Sequence, residues 1–160
     1  MGEVEEVVVD LTSGDHSFTL AGPPISLARA RYSWKTGFYN PSKAKSEAVK
    51  REIVRQIPHC RNDFLYGDGV AVTMSLTFYL RRPDSDFTCG KRWRGLKSSC
   101  VGFKAPIRPD IDNLVKFILD ACNDLVYKDD GQVVKLTSLK IRDCEGECTG
   151  RTVVKMGVFH

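Results

Sequence analysis

Four aspartates stand in two pairs within the stretch RPDIDNLVKFILDACNDLVYKDDGQVVKL, from Arg108 to Leu136: Asp110 with Asp112, and Asp129 with Asp130. Carboxylates repel one another unless a cation lies between them. The first expectation is therefore that Asp110, Asp112 and one of Asp129 or Asp130 converge on a metal ion. Three carboxylates with no histidine or cysteine beside them make a hard, all-oxygen site, which suits Mg²⁺, or Mn²⁺ in its stead, rather than zinc. Such an ion keeps several waters, binds phosphate oxygens, and activates a water or stabilises a leaving oxygen. Lys116, one helical turn past Asp112, would orient that water or offset charge developing on a phosphate. Each residue also has a plainer reading. Asp110 after Pro109 is where an N-cap belongs, and Asp112 suits the positive end of a helix dipole. Asp129-Asp130-Gly131 is turn chemistry, and Lys116 is one turn from both Asp112 and Asp120.

Other uses of such acids fit less well. A calcium-binding loop fails because Leu114 and Val115 occupy the fifth and sixth places of its pattern. An isolated Asp-x-Asp also serves glycosyltransferases, but here it opens a helix in a chain short for a nucleotide-binding sheet plus an acceptor domain. The chain carries no P-loop, HExxH or GxSxG motif, so no nucleotide cofactor is expected.

A helix must carry the first pair. Ile111, Leu114, Val115, Ile118, Leu119, Cys122 and Val126 recur at helical spacing and predict an amphipathic helix from Ile111 to about Leu125. A strand must follow the second pair, and the alternation from Gln132 to Ile141 predicts one. Arg151 to Phe159 reads as another, reached by a turn through Gly146 and Gly150. Upstream, His16 to Ala21 is a short strand stopped by Gly22-Pro23-Pro24. From Pro41 to Ile57, residues Ala44, Ala48, Val49, Ile53, Val54 and Ile57 predict a helix closed by Pro58. Val70 to Leu80, rich in β-branched and aromatic residues, is the strongest strand. The order β-α-β-loop-α-β-β predicts an α+β fold, a single domain with a mixed sheet and two main helices on one side.

At 160 residues and 42% apolar composition, the chain suits one globular domain, residues 16–160, after an acidic extension, residues 1–15, expected to be flexible. The first eleven residues hold four acids, no basic residue and only a short VVV run, so no signal peptide is expected. VAVTMSLTFYL, the longest mostly apolar run, is about half of a membrane span, so the expectation is a cytoplasmic protein with no membrane partner. In that setting the six cysteines read as thiols. A zinc site using Cys144 and Cys148 with Cys89, Cys100 or the pair His59 and Cys60 lacks the tight paired knuckles of such sites. The net charge of +4 conceals an uneven distribution. The segment from Arg81 to Arg108 carries eight basic residues against Asp84 and Asp86, so the remainder is slightly acidic. A loop of that length and charge implies a function and a polyanionic partner, the plainer alternative being a solvated loop.

At this point the central window resembles the signature of the RusA-type Holliday junction resolvases, the crossover junction endodeoxyribonucleases. In that family an Asp-x-Asp-Asn-x-x-Lys helix start is followed by a short helix and an Asp-Asp-x-Gln-Val strand start. FTLAGPPISLARAR and FYNPSKAK are similar to the family's Gly-Pro-Pro segment, arginines and Tyr-x-Pro-Ser helix entry. The resemblance spans roughly His16 to Ile141 and implies a Mg²⁺-dependent homodimeric endonuclease that makes paired nicks across a four-way DNA junction, in recombination and repair. Carried over, Asp110, Asp112 and Asp130 hold the metal and Lys116 is the catalytic lysine. Adjacent side chains in an extended segment face opposite ways, so only one of Asp129 and Asp130 is expected at the metal. Lys91, Arg92, Arg94, Lys97, Lys104 and Arg108 of the basic segment would bind phosphates, with Arg29 and Arg31 as further DNA contacts. Trp93, between two arginines, would either stack on a base or anchor its loop. The acidic start, the loop containing Cys89 and Cys100, and the pair Cys144 and Cys148 depart from the family pattern and bear on substrate preference.

Two other classes remain. A DNA-binding module without catalysis would use the aspartates only as cap and turn, and a phosphohydrolase of small phosphate compounds would not need the basic loop.

Overall fold

The computed structural model describes residues 15–28, 31–35, 37–88, 95–100, 106, 108–144 and 149–160, with only the backbone at Arg31 and Tyr39. Its elements are β1 (His16–Ala21), β2 (Arg31–Ser33), β3 (Gly37–Tyr39), α1 (Lys43–Gln56), β4 (Val72–Leu80), α2 (Ile111–Cys122), β5 (Val133–Arg142) and β6 (Arg151–Val158).

β4 is the centre of the molecule. Its alternation puts Val72, Met74, Leu76, Phe78 and Leu80 on a buried face and leaves the residues between them half-buried. β6 runs antiparallel to β4 on one side and β1 runs antiparallel to β6, while β5 lies parallel to β4 on the other. The four-stranded order is β1-β6-β4-β5, so among the described residues β1 and β5 are the edges. A parallel pair needs a crossover, and α2 supplies it between β4 and β5. Both helices lie on the buried face. Val49 and Ile53 of α1 and Leu114, Phe117, Ile118 and Ala121 of α2 share one core with Phe18, Phe78, Val154 and Met156 of the sheet. This is the expected α+β architecture, with a mixed sheet and two helices.

Three differences from the expected elements have physical causes. α2 ends at Cys122, because Asn123 turns extended and Asp124 takes a left-handed φ of 60°, a conformation that aspartate tolerates better than most residues. The buried stripe of α2 includes Phe117 and Ala121 and leaves Ile111 exposed. A helix wedged between a sheet and α1 buries a broader face than one apolar row. Finally, β2 and β3 form a separate two-stranded ribbon in a segment for which the sequence pattern predicts no element. None of the described helices is long and apolar enough to cross a membrane.

Side chains lock the helices to the sheet. Gln56 of α1 donates from Nε2 to the Thr19 carbonyl at 2.7 Å and accepts from the Thr19 amide at Oε1 at 2.9 Å. Lys50 donates to the Asn123 carbonyl at 2.9 Å, placing a cation at the negative end of α2. Lys140 of β5 donates to the Pro109 carbonyl at 2.7 Å, fixing the start of α2 above the far end of that strand.

Candidate active site

Asp110 occupies the N-cap position of α2 with extended backbone, φ −67° and ψ 138°, yet its side chain makes no capping bond. The cap reading is therefore satisfied by the backbone position alone and leaves the carboxylate uncommitted. Asp112 lies in the first turn, and Lys116 follows one turn later with its Nζ 3.6 Å from Asp112 Oδ2. Both side chains are about 60% exposed, so this pair adds well under about 1 kcal/mol to stability. Asp110 opens onto a depression of about 390 Å³ shared with Ser26, Arg108, Pro109 and Asn113. The strand leaving β1 forms one wall, held there by the Leu27 amide on the Asn113 carbonyl at 2.9 Å.

The second aspartate pair divides its labour. Asp129 accepts from the Gly131 amide at 2.8 Å and holds the short 3-10 turn Asp130–Gln132, as a turn aspartate should. Asp130 is exposed at the start of that turn, on the approach to β5. Its charge acts on Asp120, whose own carboxyl is held above the usual range first by burial and then by the charge on Asp130.

Asp130 therefore stands beside the end of α2, whereas Asp110 and Asp112 stand at its start. Asp120 lies ten residue steps along α2 from Asp110, a rise of about 15 Å. The expected convergence of Asp110, Asp112 and Asp130 is not met within one chain. Among the described residues no three acidic, histidine or cysteine side chains gather as a metal site. The cause is topological: α2 runs opposite to β5, and the short link between them sets the strand's start under the helix's end.

The donor chemistry nevertheless suits a hard cation. Asp110 and Asp112 offer carboxylate oxygens to solvent at one helix start, the kind of donor a hard cation takes.

Of the expected DNA contacts, Arg108 is exposed on the rim of the depression, and Lys97 donates to the Ser85 carbonyl at 2.8 Å. Arg29, Lys91, Arg92, Arg94 and Lys104 lie outside the described residues, as do Trp93 and the side chain of Arg31. Arg82, counted with the basic segment, is a correction. It is 1% exposed and donates to the Asp143 and Cys100 carbonyls, to Asp86 and to Cys144, so its charge is spent inside the protein. Cys60, Cys122 and Cys144 are free thiols, Cys100 is buried, and burial pushes Cys122 up to about 12; Cys89 and Cys148 lie outside the described residues.

Sequence reasoning missed three contributors. Lys140 has only its place in an alternating strand as a signal, and Asp120 only its place in the polar stripe of α2. The exposed aromatics Tyr32, Trp34 and Phe38 were visible in RYSWKTGFY, where they flank a Lys-Thr-Gly turn. A cavity of about 720 Å³ between β1, α1 and α2 is mostly apolar, and the charges Glu52 and Arg55 on its wall are paired with each other.

Comparison with known proteins bears on this arrangement. The family model described as endodeoxyribonuclease RusA matches residues 21–156. An uncharacterized protein of Bacillus subtilis (strain 168), YqaN, is 31% identical over 120 residues, covering 74% of this chain and 82% of its own. A protein of Lactococcus phage r1t named crossover junction endodeoxyribonuclease rusA is 29% identical over 111 residues, 68% of this chain and 71% of its own.

Proposed function

The chain belongs to the RusA endodeoxyribonuclease family, and from that premise we propose a divalent-metal-dependent, homodimeric enzyme that resolves four-way DNA junctions by paired nicks. As a member of that family it is a DNA-hydrolysing enzyme of the junction-cutting kind, and its work would lie inside the cell, in recombination and repair. The observation that carries the metal-dependent reading is the uncommitted carboxylate of Asp110, one residue from Asp112 and one turn from Lys116. Folding has no use for this exposed cluster, and phosphodiester hydrolysis does.

Asp110 and Asp112 would hold Mg²⁺, or Mn²⁺ in its stead, which supplies charge stabilisation and a more acidic water. Lys116 brings its ammonium to the phosphate whose negative charge grows as the bond breaks. Arg108 and the basic segment from Arg81 to Arg108 hold the DNA by its phosphates, less the charge of Arg82.

Asp130 joins the site from a second copy. β5 is an edge strand that carries Val134, Leu136 and Leu139 exposed, the kind of edge proteins cover by pairing. Two β5 strands meeting antiparallel about a two-fold axis would bring the Asp130 end of one copy toward the Lys140 end of the other, where α2 starts. The same axis would match the approximate two-fold symmetry of a four-way junction.

The experiment is cleavage of a labelled junction beside a linear duplex, with Mg²⁺ or EDTA, using wild type, Asp112→Asn, Asp130→Asn and an equimolar mixture of the two variants. Symmetric Mg²⁺-dependent nicks in the junction, lost in each variant, support the nuclease reading. If sites are shared between copies, the mixture regains cutting, because about a quarter of its sites hold neither substitution. A mixture as inactive as its parts contradicts the shared site, and junction binding by wild type without any product contradicts the nuclease.

A further inference from the structure

The β2–β3 ribbon has an apolar surface that its own folding does not use. Tyr32 and Phe38 sit opposite each other in the ribbon, edge to face with centroids 5.2 Å apart, and yet are 68% and 82% exposed. Trp34 in the connecting turn is 82% exposed, with the Lys35 ammonium 5.0 Å from its ring centre. Gly37, at φ +70°, takes the left-handed position that lets the turn close. None of these side chains belongs to the core. An isolated two-stranded ribbon is marginal in water, and leaving three aromatic rings on it adds a cost without a return in stability.

Charge and position indicate what covers these rings. From Arg29 to Phe38 the chain carries Arg29, Arg31 and Lys35 and no acid. Flat apolar faces set among cations match nucleobases on a phosphate backbone, because every base has a face to stack and a phosphate to neutralise. The base of the ribbon adjoins the candidate site. Ser26 lines the depression with Asp110, the Leu27 amide is bonded to Asn113, and Ser42 Oγ accepts from the Ala28 amide at 3.0 Å, drawing together the two chain segments that flank the ribbon. Trp34 is seven residue steps from Leu27, a reach of at most about 24 Å. At about 3.4 Å per base step, that reach spans roughly seven steps of DNA, so the tip stays within the neighbourhood of the candidate site.

We propose that this ribbon is a base-stacking element, in which Trp34, with Tyr32 and Phe38, stacks on bases unstacked at the branch point of the junction while Lys35 contacts adjoining phosphates. It rests on the junction-nuclease reading and adds the residues that open the branch.

The test uses the full chain without divalent ion. In Trp93→Phe, where Trp34 is the sole tryptophan, adding a four-way junction is expected to quench the Trp34 emission. Trp34→Ala is expected to weaken binding to a fully paired junction by about tenfold to a hundredfold, with partial recovery in Trp34→Phe. The loss should shrink on a junction carrying unpaired bases at its branch point, since that DNA no longer has to be opened. A merely structural residue would weaken both junctions alike. Equal affinity of Trp34→Ala and wild type for both junctions, with unquenched Trp34, overturns the proposal. So does a Trp34→Ala chain that falls from dimer to monomer in light scattering, which would make the rings a contact between copies. Trp34-dependent binding to anionic vesicles without any effect on junctions also overturns it. A wild type that binds no junction sinks the nuclease reading as well, whereas normal junction cutting by Trp34→Ala sinks the ribbon alone.

Discussion

Two groups of aspartates meet opposite fates in this molecule. Asp86 and Asp143 are buried against arginines. Asp86 faces Arg82 at 3.3 Å, and Asp143 takes Arg151 at 2.9 Å and the Gly150 amide at 2.9 Å. Asp110 and Asp112 sit in the open at a helix start, one with no capping bond and the other in a loose, solvated pair with Lys116. The first group closes the chain where β4 and β5 end. Arg151 also covers the Tyr79 ring at 3.8 Å, and Gly150 at φ +93° lies so near Tyr79 and Pro23 that a Cβ would collide with their backbone. Buried charge must be paired to be tolerated, while exposed carboxylates in close sequence are tolerated only because water screens them. An acid whose geometry does nothing for the fold is the one to suspect of chemistry.

The largest expected effect separates the two groups outright. Asp112→Asn should lower junction cleavage by about a thousandfold or more, as losing a principal charge-stabilising group does, while leaving the melting temperature within about 1 °C. Junction binding should persist or tighten, since a negative charge near phosphate has been removed. Cleavage kinetics and a thermal melt on the same preparation check this, and a collapse in stability alongside activity would erase the distinction.

Arg82→Ala is the reverse case. It strands the Asp86 carboxylate and two carbonyls in the interior, a loss of about 3 to 5 kcal/mol, which corresponds to a melting temperature lower by about 10 °C. Cleavage per folded molecule, measured well below the melt, should change little. A variant that stays as stable as wild type would mean that the buried network contributes far less than its geometry implies.

The sequence made some of this legible and hid the rest for identifiable reasons. β4 and α2 were readable because each repeats its own period over nine or more residues. The β2–β3 ribbon was not, since three-residue strands are too short for an alternation and its aromatics face outward rather than toward a core. Arg82 reads as one more cation in a basic run, and only the fold reveals that it turns inward beside Leu80 while Arg81 stays in solvent. The separation of Asp130 from Asp110 was, by contrast, contained in the sequence. A helix of about 12 residues followed by a short link and a strand must double back, so residues before the helix and residues before the strand fall at opposite ends. Chemical pattern predicts one metal site, and chain geometry places the aspartates expected to form it at opposite ends of α2.

The adjacent pair Asp129 and Asp130 sharpens the comparison within two residues. Asp129→Ala removes the acceptor for the Gly131 amide and should cost about 1 kcal/mol of stability, seen as a modest fall in the denaturation midpoint. Asp130→Ala should leave that midpoint unchanged and abolish cleavage. If the two effects are exchanged, the structural and catalytic assignments of the pair are exchanged with them.

Glu52 supplies an intermediate case, an acid near the surface that is nonetheless engaged. Hydrogen bonds from Arg55 first, and then Gln56, hold its carboxyl down at about 2. The same Gln56 amide spans Glu52 Oε1 at 2.7 Å and the Thr19 carbonyl at 2.7 Å, so the acid steadies the link between α1 and β1. Because its folded value is depressed, its contribution to stability is fully present above the usual carboxylate range and is lost as pH falls through about 2. Solvent screening keeps that contribution small. Glu52→Gln should therefore melt slightly earlier than wild type at pH 7, and the two should converge near pH 2. Carboxyl titration by NMR offers the sharper reading: Arg55→Ala should return Glu52 toward its ordinary value, and a carboxyl that stays low without that guanidinium would assign the depression to Gln56 instead.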